Sequence, residues 1–302
     1  MAQKGGEHMA QYDNFDRQYR VSAGPAGGGG FEIGAASNPD HPVVPHIEFN
    51  CEKTDREAQN TGKLSIWNLS PEHLAVLNEK DCAISLRAGY GNSMPLIFAG
   101  IISFSRTVMD GADRKTEIEV VDNLLPVRDT YVSVSYQGKV NWKTILDDVA
   151  AQMGVAITYS YNATFVDINN GFSYVGLAKE ILTKGCECCR LTWSIQNGVL
   201  QIKRPGDVMQ REVYVLSAET GLINIPVRIL IEENTTSKDE ISVKQYGWEV
   251  EYFLNGAIGI DDYVMLDSKY ASGYFRVHKL SMTGDNASGD WLCKAELLEL
   301  TA

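Results

Sequence analysis

A mainly β protein of the α+β class is predicted, with two β-barrel-like domains, related as a pseudo-repeat, flanking a small α+β module. Three observations lead there. Short apolar–polar alternations separated by turn formers fill residues 19–125, helical spacing takes over in 139–205, and hairpin-spaced alternation returns after 207. The expected division is a flexible N-terminus over 1–18, a first β-domain with one inserted helix over 19–130, the α+β module over 131–206 and a second β-domain over 207–302.

The polar opening residues have little to bury and are expected to stay loose. "YRVSAG" is a short strand, and "GPAGGGG" (24–30) is a flexible turn, because a run of glycines beside a proline cannot hold regular structure cheaply. That run lacks the GK[ST] ending of a phosphate-binding loop. In "HIEFNCEKTD", Ile47, Phe49 and Cys51 point one way and His46, Glu48, Asn50 and Glu52 the other, as in a half-buried strand. Leu64 and Ile66 repeat the alternation in "KLSIW". Ser70 then caps a short helix with Pro71 at its first position and Leu74 and Leu77 on one face. "CAISLRAGY", "LIFAGIISFSRTV" and "KTEIEVVD" are strands, joined by turns at "GNSMP" and at Asp110-Gly111.

In "NWKTILDDVAAQMGV" the apolar residues Trp142, Ile145, Leu146, Val149 and Met153 fall at helical spacing, with Asn141 as cap and Gly154 as stop. A second helix is expected over about 174–184, with Leu177, Ile181 and Leu182 inward and Gly185 behind it. "VAITYSY", "RLTWSI" and "GVLQIKR" are strands, the last two joined by the hairpin turn "QNG". Beyond "RPGD" come "VYVLSAETGLI", "PVRILIEEN", "DEISVKQYGW", "DYVMLDS", "GYFRVHKLSM" and "DWLCKAELLEL", all strand-like. The plan "CAISLRAGY", "PLIFAGIISFS", "MDGAD", "KTEIEVVD" is repeated in "DYVMLDS", "GYFRVHKLSM", "GDNASGD", "WLCKAELLEL", a divergent internal duplication of pattern rather than identity.

The composition suits such a fold. A chain of 302 residues with 44% hydrophobic and 22% charged residues can bury two or three cores. No run approaches the eighteen or so apolar residues that span a bilayer. The opening residues have no apolar signal-peptide core, so a reducing cytoplasm is expected. The six cysteines at 51, 82, 186, 188, 189 and 293 then read as free thiols. With 27 basic against 39 acidic residues the net charge is −12, which disfavours specific nucleic-acid binding.

Several local clusters invite a chemical reading, and each has a plainer one. "CECC" at 186–189 offers thiolates, yet a tetrahedral metal site needs a second separated pair, so free thiols are preferred to zinc. His41 and His46 lie in "HPVVPH", an extended connector. "GDNASGD" lacks the bidentate glutamate that completes a calcium loop and is better read as a hairpin turn. Asp147 and Asp148, like Asp261 and Asp262, are adjacent and diverge, which suits a solvated helix face and a turn rather than acid–base work. No GxSxG elbow is present. The expectation is no enzyme: no catalytic, cofactor-binding or metal-binding residue, and no cofactor.

Order along the chain then carries a resemblance. "SIWNLS" followed by a short helix, "ISLRAGYG", "IFAGIISFSR" and "TEIEVVD" resembles the first domain of phage tail baseplate hub proteins, the gp27-like or late-control protein D-like family. "VNWKTILDDVAAQMGVAITY" with "LAKEILTKGCECCRLTWSIQNGVLQI" is similar to their middle module, and "SGYFRVHKLSMTGDNASGDWLCKAELLEL" to their closing strands. The resemblance runs from about residue 19 to 300. It implies a virion structural protein in the tail baseplate, assembled in the bacterial host cytoplasm. It further implies a homotrimer whose two β-domains per chain make a pseudo-sixfold ring, a symmetry adapter between the tail tube (or its initiator) and a central spike protein. Tape measure protein and DNA would pass through it, other baseplate proteins would surround it, and no stable membrane insertion is expected. A contractile particle, phage or phage-like, is the favoured context. The competing reading is a carbohydrate-binding tail accessory protein, which would need Trp67, Trp142, Trp193, Trp248 and Trp291 on an exposed platform.

Overall fold

The structure, a computed structural model, describes residues 16–25, 28–35, 44–55, 60–122, 130–209, 212–234 and 242–300. Most of the N-terminal stretch and His41 lie outside the described residues.

The alternating segments all become strands. In the first half these are β1 (Arg17–Gly24), β2 (Phe31–Gly34), β3 (Ile47–Thr54), β4 (Thr61–Trp67), β5 (Ala83–Tyr90), β6 (Leu96–Asp110) and β7 (Asp113–Val121). Helix α1 (Pro71–Leu77) sits between β4 and β5. Ser70 accepts a hydrogen bond from the His73 amide at 3.3 Å, Pro71 opens the first turn and Leu77 is buried, as the sequence predicts.

The middle of the chain forms β8 (Tyr131–Tyr136), β9 (Val140–Asn141), α2 (Trp142–Met153), β10 (Ala156–Tyr159), β11 (Asp167–Ile168), β12 (Phe172–Leu177), α3 (Ala178–Cys189), β13 (Thr192–Gln196) and β14 (Val199–Lys203). Asn141 caps α2 and Gly154 ends it with φ 69°. Helix α3 departs from the expectation. Residues 174–177 belong to β12, and Gly185 lies inside the helix, which runs on to Cys189 and ends at Arg190 with φ 57°. The reason is packing: a Cβ on Gly185 would stand 2.9 Å from Trp142 Cε3 and 3.0 Å from Leu146 Cδ2, so the glycine lets α3 approach α2.

The last part forms β15 (Val213–Ser217), β16 (Val227–Asn234), β17 (Ser242–Phe253), β18 (Tyr263–Asp267), β19 (Ser272–Asp285) and β20 (Trp291–Glu299). The mainly β class is as expected, but the barrels are not closed. Both halves instead share one 13-stranded sheet, ordered β16, β17, β20, β19, β3, β4, β7, β6, β5, β1, β2, with β18 on β19 and β15 on β18. The joint is the antiparallel β19–β3 pair, which gives the long strand β19 a partner from the other half.

The pseudo-repeat is visible in this sheet. Reading β3, β4, β7, β6, β5 against β16, β17, β20, β19, β18 gives the same neighbours, all antiparallel. Even the irregularities coincide: a one-residue bulge at Ser103 in β6 corresponds to one at His278 in β19. The likeness ends outside these strands, since β1 is antiparallel to β5 whereas β15 is parallel to β18. Two hydrophobic cores result. One contains Ile47, Leu64, Ile84, Ile118, Val250, Val264, Leu280 and Leu297 from both halves; the other contains Trp142, Ile145, Leu182 and Trp193 of the middle module.

Candidate functional site

Among the described residues, the sequence candidates lie apart from one another except for His46 and the "GDNASGD" turn. Cys186 and Cys189 are one helical turn apart and buried against the module core, Cys188 is exposed, and none of the six cysteines is in a disulfide. Asp147 accepts from Tyr159 Oη at 2.6 Å and Lys143 Nζ at 2.9 Å, while Asp148 accepts from Tyr136 Oη, so the two carboxylates do diverge. His46 and the "GDNASGD" turn, considered separately in the sequence, meet in space. His46 Nε2 is 3.0 Å from Asp285 Oδ1, which also accepts from the amides of Ala287 (2.8 Å) and Ser288 (3.0 Å). With Glu48 they form a possible three-ligand group, but Glu48 is held 3.3 Å from Lys115 Nζ, and the His46 ring stacks on Trp67 at 4.1 Å. His46 and Asp285 thus clasp the turn to the start of β3, while Glu48 is engaged by β7.

Trp67, Trp142, Trp193 and Trp291 are buried, so they form no exposed sugar-binding platform. Trp248 is half-buried, with the Arg228 guanidinium 5.8 Å from its ring and 4.9 Å from that of Tyr246.

What the fold does assemble is a pair of polar locks that seat the middle module on the shared sheet. In the first, Asp122 at the end of β7 accepts the amides of Asn197 (2.8 Å) and Gly198 (3.2 Å). These are the two left-handed residues of the "QNG" turn, with φ 50° and 82°. Asn60 Nδ2 donates to Gln196 Oε1 at 2.9 Å and to the Ile195 carbonyl, Gln196 Nε2 reaches the Thr54 carbonyl at 2.9 Å, and Lys53 Nζ reaches Asn197 Oδ1 at 3.0 Å. Burial pushes the Asp122 carboxyl up, against these hydrogen bonds.

The second lock is ionic. Lys203 from β14, Asp55 just after β3, Asp261 before β18, and Arg276 and His278 on β19 converge where all three parts meet. Arg276 Nη1 donates to Asp261 Oδ1 at 2.7 Å and to Asp55; Lys203 donates to Asp261; His278 Nδ1 lies 3.0 Å from Asp55 Oδ1. Asp261 and Lys203 are almost wholly removed from solvent. Burial raises the Asp55 carboxyl, but the His278 hydrogen bond and the Arg276 charge together hold it well below the usual carboxylate range. A depressed acid stabilises the fold above its unfolded pKa and loses that contribution as pH falls, so this lock loosens in acid.

Asp262, next in sequence, behaves oppositely. Burial raises it to about 6, partly offset by the Gly259 amide it accepts at 2.7 Å. A raised acid contributes stability below its unfolded pKa and loses it as pH rises through the folded one. Asp262→Asn is therefore expected to gain stability relative to the parent as pH rises from about 4 to 6, because asparagine keeps the acceptor and carries no buried charge. Urea midpoints across that range, moving in parallel for both proteins, would overturn this.

None of these partners was recognised from sequence. Asp55, Lys203, Arg276 and His278 are far apart along the chain, and Asp261 reads as an ordinary turn residue, which it also is. Only the "QNG" turn gave a local signal.

The sheet also leaves two long edges without strand partners among the described residues. Strand β16 ends the sheet, with Val227 and Leu230 exposed. Strand β6 pairs with β5 only through Ile101, so its outer half, carrying exposed Phe104, Val108 and Met109, has a strand partner on the β7 side alone among the described residues.

No family model matches the chain, and no curated protein does. Solved structures do match. The chain aligns with the 43 kDa tail protein of prophage MuSo2 from Shewanella oneidensis at TM-score 0.58 and 8% identity, covering 94% of this chain and 100% of that one. It aligns with a tail protein from Neisseria meningitidis MC58 at TM-score 0.56 and 10% identity, covering 93% and 96%. A type VI secretion component of Escherichia coli, described as structurally similar to T4 bacteriophage tail proteins gp27 and gp5, aligns at TM-score 0.52 and 6% identity, covering 84% and 74%. At such identities the likeness is one of fold, and it extends over nearly the whole chain.

Proposed function

We propose that this protein, whose fold is that of phage tail proteins, is a non-enzymatic hub of a tail baseplate. Three copies form a ring with pseudo-sixfold symmetry that joins a sixfold tail tube to a threefold central spike. The internal repeat carries the reading, because a chain that contains one unit twice doubles the apparent rotational order of any ring it closes. The two β units, 19–130 and 207–302, would form the ring, with the 131–206 module held against them by the two polar locks. Helix α1 interrupts the first unit only, where Asn78 Oδ1 lies 3.2 Å from Ser105 Oγ on β6, and would buttress the ring or the neighbouring tube. The net charge of −12 suits a passage for DNA and tape measure protein that must not adhere.

Three 33.4 kDa chains make a particle of about 100 kDa. Electron microscopy of the purified protein, alone and with a candidate spike partner, is expected to show threefold rings with six lobes. Compact particles without a ring in both samples would overturn the proposal.

A further inference from the structure

The internal joint between the two halves acts as a template for a joint between copies. In β19, the edge that faces β18 over Tyr263–Asp267 continues beyond the bulge at His278 and there receives β3 from Lys279↔Thr54 to Asp285↔Glu48. In the repeat, β6 is the counterpart of β19 and β16 the counterpart of β3. Beyond its own bulge at Ser103, β6 has the same kind of edge, and no strand among the described residues pairs with it. The outer edge of β16, counterpart of the edge by which β3 meets β19, likewise has no strand partner among the described residues.

We propose that β16 of one copy pairs antiparallel with the outer half of β6 of a second copy of this chain, in the register set by the β3–β19 joint. This rests on the self-assembling hub reading above and specifies its contact. Aligning the bulges makes Phe104 the counterpart of Lys279 and Val108 that of Thr283; aligning the β4 and β17 pairings makes Arg228 the counterpart of Cys51 and Val227 that of Asn50. Because Thr283 pairs with Asn50, Val108 pairs with Val227; likewise Phe104 meets Ile231, Arg106 meets Ile229 and Met109 meets Pro226.

Residue types support that register. Val108 and Val227, 37% and 55% exposed in the single chain, become direct cross-strand partners. At the internal joint the inward pair is Gly284 with the large Phe49; at the open joint the corresponding pair is Met109, 68% exposed, with the small buried Pro226. Large and small have exchanged sides, which conserves the volume filled at the joint. The contact is heterologous, one edge to a different edge, so repetition generates a ring when the rotation closes.

The test uses the full chain with Cys188→Ser, which removes the exposed native thiol. Val108→Cys and Val227→Cys are prepared as separate variants, mixed, and oxidised, while the mass of the unoxidised protein is measured in parallel. The expected result is a disulfide-linked dimer from the mixture and none from either variant alone. Arg106→Cys mixed with Val227→Cys, two residues out of register, should give none, because its Cα spacing exceeds disulfide reach. Assembly without the Val108–Val227 link, or with the displaced link preferred, overturns this pairing and leaves the hub reading standing. A chain that stays monomeric at every concentration, with and without a spike partner, overturns both. A second variant pair guards against disulfide strain: Val227→Glu should abolish assembly, and adding Val108→Lys to the same chain, which sets opposite charges across every joint, should restore it. Assembly unaffected by Val227→Glu overturns the pairing.

Discussion

Asp261→Ala is expected to lose about 3–5 kcal/mol of folding stability, because it leaves Lys203 and Arg276 buried with one acid, Asp55, between them. The loss comes less from the missing attraction than from uncompensated charge in a poorly solvated joint. Urea unfolding near neutral pH measures it. The double variant Asp261→Leu with Lys203→Met should recover a large part, since removing both partners avoids the stranded cation, whereas either single change cannot. Because the cluster joins the module to both halves of the sheet, the loss should also appear as earlier proteolysis between the module and its neighbours. A cost below about 1 kcal/mol would mean that the cluster behaves as an exposed ion pair, and that the module is seated by its apolar contacts alone.

The second large effect is expected at Gly284, where β19 crosses to β3. A Cβ there would lie 2.2 Å from Phe49 Cε1, 2.3 Å from Phe49 Cζ and 2.8 Å from Trp291 Cε3. Phe49 and Trp291 pack edge to face at 5.4 Å and are both buried in the shared core, so neither ring can swing out to solvent. Gly284→Val should therefore cost about 1–3 kcal/mol or more through overpacking. Its backbone needs no left-handed conformation, so strain in φ is not the cause. Phe49→Ala is itself destabilising, yet combined with Gly284→Val it should cost markedly less than the sum of the two, as expected when two residues compete for one space. Additive thermal midpoints would refute the steric account.

These two positions show how legibility varies along the chain. Gly284 lies in a stretch read correctly as strand and turn, but nothing local marks its hydrogen as the space for a phenylalanine that precedes it by more than two hundred residues. Gly185 misled for a related reason: glycine after an apolar helical run is an ordinary stop signal, yet here it admits the Trp142 ring and the helix continues. Asp110-Gly111 and "QNG", by contrast, were read as turns because their conformational demands are met within a few residues.

The candidate site followed the same division. Sequence pattern set aside the "CECC" and Asp147–Asp148 candidates by spacing and direction, and in the structure Cys186 and Cys189 pack inward and Asp147 and Asp148 bond to different tyrosines, but Asp261, set aside as a turn residue, is buried between Lys203 and Arg276. It gave no sign that His46 and Asp285 meet, or that Asp55, Lys203, Asp261, Arg276 and His278 form one cluster, because contacts between distant segments have no period.

Alternation and helix spacing by themselves determined the mainly β class, the order of the elements, the Ser70 and Asn141 caps and the duplicated strand plan. Each depends on short-range geometry: period 2 against period 3.6, and the few residues that tolerate a turn or cap. Tertiary structure alone decided that the two halves share one open sheet rather than closing as barrels, that charge clusters seat the module, and that β6 and β16 keep edges unpaired among the described residues. Those outcomes turn on which distant strand packs against which edge, and that depends on the shape of the folded whole.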